Sequence, residues 1–162
     1  MMKIDRTISF RQDMIDLILA GKKTVTIRPI KPQPKRVGTF GKESLFDRCY
    51  WEWNGYDVYE LGSEWFLRQY PHGMICNIMS IRERPEVKLK ITGITVDWLH
   101  EISHDTWEKD GVSRHYVMGG PDLSFYHWQS FYAGTEYEWV KNPWVWIIEF
   151  EMVKKGQEDE CN

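Results

Sequence analysis

Three residues that could do chemistry together lie in one short stretch of this chain: Lys23, Thr26 and Arg28. A threonine hydroxyl is a poor nucleophile unless a neighbouring group takes its proton, and a lysine of lowered pKa or a carboxylate can do so. Asp110 can supply a carboxylate, and Arg28 can bind an anion. The set therefore contains a nucleophile, an activator, an acid/base and an anion binder, which suffices for acyl transfer or amide hydrolysis.

The elements predicted around this stretch decide whether these side chains can meet. Residues 11–20 carry apolar side chains at helical spacing, and Gly21 can end that helix in the left-handed conformation. The next residues alternate as a strand, with Thr26 and Arg28 on one face, until a proline ends it. Strict alternation would put Lys23 on the opposite face, so it reaches the same pocket only if the backbone after Gly21 is irregular.

Asp110 falls at the end of a second predicted helix. Ser103 can cap that helix and Gly111 can close it. A carboxylate in the last turn opposes the helix dipole, so Asp110 needs a cationic partner, solvent or a catalytic role. The strand that leads into this helix, residues 87–98, changes its apolar parity at Gly93, which predicts a β-bulge.

The remaining elements are predicted to build the core. Asn54-Gly55 between aromatic runs predicts a two-residue hairpin that pairs Trp53 with Tyr56 and Trp51 with Val58. Residues 121–132 predict a helix whose buried stripe we interpret as core, not ligand site: Phe125, Trp128 and Phe131 or Tyr132. Residues 142–153 predict a strand that is central for most of its length.

The basic charge of the chain is local. The formal net charge is −3, from 21 basic and 24 acidic residues, yet the segment from Leu17 to Lys42 holds seven basic residues and no acid. Such a segment on an acidic body is typical of a docking surface for phosphate, although a solvated loop would have the same charge. The residues predicted to contact nucleic acid are Arg28, Lys22, Lys31, Lys35 and Arg36.

Bulk properties indicate one domain of the α+β class. The 162 residues can bury a sizeable core, and several short strands with a few short helices favour an α+β domain or a small barrel. No apolar run is long enough to span a bilayer, so we expect a soluble, cytoplasmic protein without membrane partners. The expected domain covers residues 1–155 with an insertion at about 40–80, and residues 156–162 are expected to be a disordered tail.

No cofactor or metal site is predicted. The chain lacks a Walker-type loop and a GxGxxG motif, which argues against a nucleotide cofactor. His100 and His104 have the spacing of a helical metal pair, but the predicted cap at Ser103 places His100 before the helix and no third ligand is evident. Three cysteines without ligand spacing indicate neither a disulfide framework nor a zinc ribbon, which fits a reducing compartment.

The motif ILAGKKTVTIR at residues 18–28 resembles the signature of the ASCH family, part of the PUA-like superfamily. Two further stretches are similar to the family's central strand with its short helix and to its closing strand: VKLKITGITVDWLHEIS at 87–103 and NPWVWIIEFEMV at 142–153. With KPQP at 31–34, the pattern resembles a subgroup common in phages and prophages. The similarity covers nearly the whole chain except residues 40–80.

This resemblance implies a PUA-like small β-barrel flanked by short helices, with a cleft for RNA or a modified nucleoside. A branch of the family is an amidohydrolase that removes the acyl group of N4-acetylcytidine with a lysine, a threonine and a glutamate. The lysine corresponds to Lys23 and the threonine to Thr26, while the glutamate falls near Asp110, with Glu108 as the other register. Asp is one methylene shorter than Glu, and a displacement of about 1 Å can cost roughly a hundredfold in rate.

The same family resemblance leaves other functions open. The protein could be a non-catalytic RNA-binding module, in which basic residues hold phosphates and an aromatic side chain stacks on a base. It could be a ribonuclease, an activity reported for other family members. A phage accessory protein with a vestigial pocket is the third alternative, which Lys23 and Thr26 on opposite sides would favour.

Overall fold

The computed structural model describes residues 6–40, 48–112 and 123–154, of which 37–40 and 48–50 are described as backbone only. The chain forms eight strands and four helices within these residues, with short 3-10 turns at Leu99–Glu101 and Trp139–Lys141. The strands are β1 (Arg6–Ile8), β2 (Val25–Pro29), β3 (Lys35–Phe40), β4 (Arg48–Trp53), β5 (Tyr56–Val58), β6 (Ile78–Ile81), β7 (Arg84–Trp98) and β8 (Trp144–Met152). The helices are α1 (Gln12–Leu19), α2 (Glu64–Leu67), α3 (His104–Lys109) and α4 (Leu123–Tyr132).

Five strands form the main sheet, in the order β1-β6-β7-β8-β2. Strand β1 pairs parallel with β6, and the other neighbours are antiparallel. The predicted α+β class agrees with this sheet and its helices. A closed small barrel does not form among the described residues, because β1 pairs only with β6 and β2 only with β8.

The second sheet is a meander of β3, β4 and β5. Its β4–β5 hairpin turns at Asn54-Gly55, where both residues have positive φ, and it pairs Trp53 with Tyr56 and Trp51 with Val58. The predicted turn and register are therefore confirmed. The register shift predicted at Gly93 is also present, between Ile91 and Gly93 of β7.

Strand β8 is central, as the sequence predicts, since it pairs with β7 and β2 over almost its full length. Side chains on its two faces pack in two different apolar clusters. Trp146, Ile148 and Phe150 pack with α1 and the second sheet, whereas Val145 packs with helices α3 and α4. The two faces of the sheet are thus both buried, and strand β2 lies at the edge between the helices.

Helices α1, α3 and α4 contribute residues to the site described below. Helix α1 buries Met14, Ile15 and Ile18, but Leu19, predicted on the same face, is 42% exposed. Helix α3 begins after Ser103, whose hydroxyl accepts from Thr106 N, as its cap position predicts. The first residues of the predicted helix over 121–132 lie outside the described residues.

The prediction from the cysteine spacing is corrected by the structure. Cys76 is disulfide-bonded, although the spacing of the three cysteines indicated no disulfide and a reducing compartment. Within the described ranges, no helix is both long and apolar enough to cross a membrane. The predicted tail over 156–162 lies outside the described residues, as does part of the predicted insertion.

Candidate functional site

The backbone that carries Lys23 is irregular, which is the condition its position required. Gly21 ends helix α1 with a φ of 71°, and the amides of Lys22 and Lys23 both donate to the carbonyl of Leu17. Thr24 N then donates to Lys109 O at the end of α3. The turn between α1 and β2 is therefore attached to both helix ends, and Lys23 lies between them.

Lys23 forms a buried ion pair with Asp110. The Nζ atom lies 2.5 Å from Asp110 Oδ1, and the two side chains are only 2% and 5% exposed. The same Nζ donates to Asp110 O at 2.7 Å and to Val25 O at 2.8 Å. An ammonium has three N–H donors and no acceptor, so these three oxygens satisfy it completely.

Asp110 caps the C-terminal end of α3, where the next residue, Gly111, turns the chain with a φ of 103°. Its second carboxylate oxygen, Oδ2, accepts from His127 Nε2–H of helix α4 at 3.0 Å. The sequence left open whether this carboxylate meets a cation, solvent or substrate. In the structure Asp110 meets a cation, Lys23. A carboxylate that is this deeply buried is stable as an anion only when it is paired with a positive charge.

Thr26 and Arg28 project together from the edge strand β2. Arg28 Nε donates to Thr26 Oγ1 at 3.1 Å, and one Nη donates to Ser9 O at 2.7 Å. The guanidinium also lies 4.9 Å from the centre of the Phe10 ring, which Lys23 Nζ approaches at 5.8 Å. Phe10 therefore contacts both cations, an arrangement that the ring's negative face favours.

These groups share one cavity of about 390 Å³. Its polar lining includes Lys23, Thr26, Arg28, Asp110, Glu83 and His127, and its aromatic lining includes Phe10, Trp128, Phe131 and Tyr132. Lys23 and Thr26 thus open on the same space, which disfavours the vestigial-pocket alternative. The aromatics of helix α4 were expected in the core, and Tyr132 does pack against a core cluster while it also lines the cavity. Phe131 is 38% exposed, so the core interpretation is wrong for that residue.

The sequence did not point to several residues of the lining, among them His127 and Glu83. His127 lies on α4, and nothing in the sequence joins it to Asp110 because the contact is tertiary. Glu83 follows β6 and accepts from Phe10 N at 3.1 Å and from the Ser9 hydroxyl. A helical spacing of four residues between His127 and Phe131 was the one available signal, since it puts both on the same face of α4.

The pKa of Lys23 is lowered from its ordinary value. Burial is the largest cause, attraction to Asp110 and the hydrogen bond with it act in the opposite direction, and repulsion from Arg28 adds to the lowering. Burial disfavours the charged form of an amine, whereas a nearby carboxylate favours it. Lys23 therefore loses its proton more readily than a surface lysine.

The other predicted basic residues lie apart from this cavity. Lys22, Lys31, Lys35 and Arg36 are exposed, and none of them lines it. Lys31 Nζ lies 5.2 Å from the Tyr137 ring and lines a neighbouring cavity. The basic segment thus divides into a buried part that forms the site and an exposed part that follows it.

Metal ligation has no support among the described residues. No group of three His, Cys, Asp or Glu side chains is close enough there to hold an ion. His100 lies in the turn before α3, as the cap at Ser103 predicts, and its Nε2 contacts Trp139 O at 2.7 Å. His100 and His104, which have the spacing of a helical pair, are therefore not on one helix, as the cap at Ser103 predicts.

No protein-family model and no curated protein matches the chain. Two solved structures are similar to it. One is the crystal structure of a hypothetical protein, with 17% identity and a TM-score of 0.47 over 91% of this chain and 97% of that one. The other is an ASCH domain from Lactobacillus crispatus, with 15% identity and a TM-score of 0.46 over 90% of this chain and 77% of that one. Both scores are below 0.5, so the assignment of the site rests on the geometry described above.

Proposed function

We propose that this cavity binds a nucleoside or a nucleotide of single-stranded RNA and that Thr26 removes an acyl group from a modified cytidine. The observation that carries the proposal is the meeting of Lys23, Asp110 and Thr26 in one cavity. They come from a turn, a helix end and an edge strand, and Lys23 and Asp110 are buried as charges. A buried ionisable group with a shifted pKa that lines a cavity is typical of functional sites.

The cavity suits an aromatic, polar ligand. Its volume falls within the range of small-molecule sites. Phe131 and Tyr132 supply ring faces on which a base can stack, while Arg28 supplies hydrogen-bond donors. Helix α4 is held over the cavity by Arg11, which lies 3.8 Å from the centre of the Phe131 ring and donates to Ser130 Oγ.

The ion pair supplies the protons for hydrolysis of an N4-acyl group. Lys23 passes a proton to Asp110 Oδ1, and the neutral amine takes the Thr26 proton as Oγ1 attacks the acyl carbon. The tetrahedral intermediate then collapses: its carbon–nitrogen bond breaks, and Asp110 gives its proton to N4. Cytidine leaves, and the acyl group remains on Thr26 as an ester.

Water completes the cycle at the same residues. Asp110 takes a proton from water as the oxygen attacks the ester carbon, and Thr26 leaves with a proton from the Lys23 ammonium. Transfer of the Asp110 proton back to Lys23 restores the ion pair. The carboxylate is one methylene shorter than the glutamate of the resembling enzymes, and it reaches Lys23 here because Thr24 N holds the end of α3 against the strand.

The family that the sequence motifs resemble is consistent with this function. The chain would be an ASCH-type protein of the PUA-like superfamily, in the phage-type subgroup, with one domain over residues 1–155 and an insertion at about 40–80. Lys22, Lys35 and Arg36 would contact the phosphates of a longer RNA outside the cavity, since all three are exposed.

A turnover assay with matched threonine variants tests the reaction. The protein is incubated with N4-acetylcytidine, and cytidine and acetate are quantified. We expect turnover by the unaltered protein, loss of it in Thr26→Ala and partial retention in Thr26→Ser. Thr24→Ala is the control, because Thr24 is exposed and does not line the cavity. Absence of turnover, or equal turnover by Thr26→Ala, would remove the mechanism.

A non-catalytic RNA reader is the second candidate, and one observation favours it. All three donors of the Lys23 ammonium are engaged by protein oxygens, so the ion pair is complete without a substrate. In that case the pair shapes the cavity, and Arg28 with the exposed basic residues binds the RNA. The reader predicts binding of single-stranded RNA that weakens steeply with salt, unchanged by Thr24→Ala and without product release. Binding that does not depend on salt would contradict it.

A further inference from the structure

A second cavity of about 330 Å³ adjoins the first and shares two of its residues, Arg28 and Tyr132. It is enclosed by the end of β2, the β4–β5 turn and the segment after α2. Because the same guanidinium lines both spaces, a ligand that fills both must pass it. Such a ligand therefore has one part in each cavity and a linking group next to the Arg28 guanidinium.

The charges of the second cavity favour an anion. Arg28 and Lys31 line it together with His72, and no described carboxylate does, whereas Glu83 and Asp110 line the first cavity. Arg28 also forms no ion pair with any described carboxylate. Its positive charge is felt on both sides, since it contributes to the lowering of the pKa of Lys23 and of His72.

The guanidinium keeps donors for such an anion. Of its five N–H groups, one on Nε donates to Thr26 Oγ1 and one Nη donates to Ser9 O. These two bonds fix its plane at the boundary of the cavities. A guanidinium fixed in this way is suited to a phosphate, whose oxygens it can contact with two parallel hydrogen bonds.

The other walls of the second cavity suit a base. The half-buried ring of His72 offers a stacking face, and Asn54 and Gln69 offer amide groups. Gln69 Nε2 donates to Trp65 O, so its amide oxygen remains as an acceptor. Tyr70 also lines this cavity, and its buried hydroxyl has no hydrogen-bond partner among the described residues.

We propose that the second cavity is a subsite for the nucleotide next to the one in the first cavity, with the linking phosphodiester at Arg28 and Lys31. This inference rests on the proposed function and specifies its ligand as a dinucleotide step of single-stranded RNA. A free nucleoside then fills only half of the site. In this arrangement Tyr132 lies between the two bases. The exposed basic residues that follow β2 lie along the continuing path of the RNA.

Binding of three small ligands to the full chain tests the subsite. The ligands are N4-acetylcytidine and its two dinucleotides with uridine, one with uridine on the 5′ side and one with uridine on the 3′ side. We expect one dinucleotide to bind about tenfold or more tightly than the nucleoside, because it adds a stacked base and a phosphate contact. Calorimetric titration at fixed salt gives all three dissociation constants.

Variants locate the additional affinity. His72→Ala and Lys31→Gln are expected to remove most of the dinucleotide advantage and to leave nucleoside binding unchanged, since neither residue lines the first cavity. Lys141→Gln is the charge-matched control, because Lys141 is exposed and lines neither cavity. Circular dichroism confirms that each variant is folded before it is compared.

The outcomes separate the two proposals. Equal binding of nucleoside and dinucleotides would overturn the subsite while leaving the first cavity as a nucleoside site. A dinucleotide advantage that survives both His72→Ala and Lys31→Gln would also overturn it, because the second base then binds elsewhere. If no ligand binds, both the subsite and the proposed function fail.

Discussion

Lys23 and Arg28 belong to the same basic segment, and their surroundings differ in one decisive way. Lys23 is almost fully buried and its three donors meet two carbonyls and the Asp110 carboxylate. Arg28 is half-buried and meets a hydroxyl and a carbonyl, but no described carboxylate. One positive charge is therefore neutralised within the protein, while the other has no carboxylate partner among the described residues.

The difference between the surroundings of Lys23 and Arg28 shows how a folded protein can hold two cations in one short segment. A buried ammonium needs a paired anion because desolvation disfavours its charge, and the pair then fixes the geometry of the helix end. A guanidinium tolerates partial burial with neutral acceptors because its charge is delocalised over five donors. The comparison predicts that changes at the Lys23 pair affect folding most, and that changes at Arg28 affect binding most.

The largest expected effect is from breaking the ion pair at one side. Asp110→Leu leaves the Lys23 ammonium buried without its anion, and we expect the free energy of unfolding to fall by about 3–5 kcal/mol. In the double variant Asp110→Leu with Lys23→Met the buried charge is absent, so most of that loss should be recovered. Urea unfolding measures all three proteins. A double variant no more stable than Asp110→Leu would show that the pair is not what the single variant disturbs.

Gly111 tests how closely the paired region depends on the end of α3. A Cβ at this residue would lie 2.8 Å from Leu17 Cδ1, and the φ of 103° disfavours any side chain. We expect Gly111→Ala to cost about 1–3 kcal/mol in unfolding free energy. Gly134→Ala is the matched control, since it also has a positive φ but nothing within 4 Å. Equal losses would mean that backbone strain alone, and not the contact with α1, matters at Gly111.

Arg28→Gln tests the role of the cation that has no described carboxylate partner. It removes the hydrogen bonds to Ser9 O and Thr26 Oγ1, for which we expect a loss of about 1–2 kcal/mol in unfolding free energy. Its effect on RNA binding should be the greater one, with a shallower dependence of affinity on salt. Fluorescence anisotropy with a short single-stranded RNA at several salt concentrations measures this. An unchanged salt dependence would place the anion elsewhere.

The pH dependence of stability reports the lowered pKa of Lys23. Between this pKa and the ordinary value of 10.5, the unfolded chain binds more protons at Lys23 than the folded chain does. Stability should therefore gain a contribution that rises with pH over that range and is complete above 10.5. Urea unfolding at pH values from 8 to 10, with the Asp110→Leu and Lys23→Met double variant as reference, isolates it. The same slope in both proteins would contradict a lowered pKa.

The smallest effect is expected at the exposed basic residues. Lys35→Gln and Arg36→Gln should change the free energy of unfolding by less than about 0.5 kcal/mol, because both side chains are exposed. A larger loss of stability would mean that the exposed half of the basic segment is also part of the packed structure.

Local signals in the sequence predicted much of the fold. The hairpin at Asn54-Gly55, the bulge at Gly93 and the cap at Ser103 are present where residue types demanded them. Each depends on the conformations of a few adjacent residues, so sequence and structure are closely linked there. The apolar alternation of the last strand likewise indicated a central position, which two neighbouring strands confirm.

The sequence was less informative wherever a contact joins distant residues. The family resemblance implied a small barrel, which the described strand pairings do not close, and the residue spacing placed the aromatics of α4 in the core alone. Strand order is decided by which edges meet after the chain is folded, and a helix face that is apolar can line a cavity as well as fill one. Neither property is encoded in the spacing of nearby residues.

The sequence by itself determined the reactive residue types, the turn at Gly21 and the position of Asp110 at a helix end. Only the tertiary structure decided that Lys23 turns toward Asp110, that His127 contacts the same carboxylate and that Arg28 pairs with no carboxylate of the described residues. The physical reason is that a charge takes its partner from whatever the fold brings within a few ångströms. Here the end of α3 brought a carboxylate to Lys23, whereas no described carboxylate pairs with Arg28, so the same basic segment holds a buried ion pair and a half-buried guanidinium without a described acidic partner.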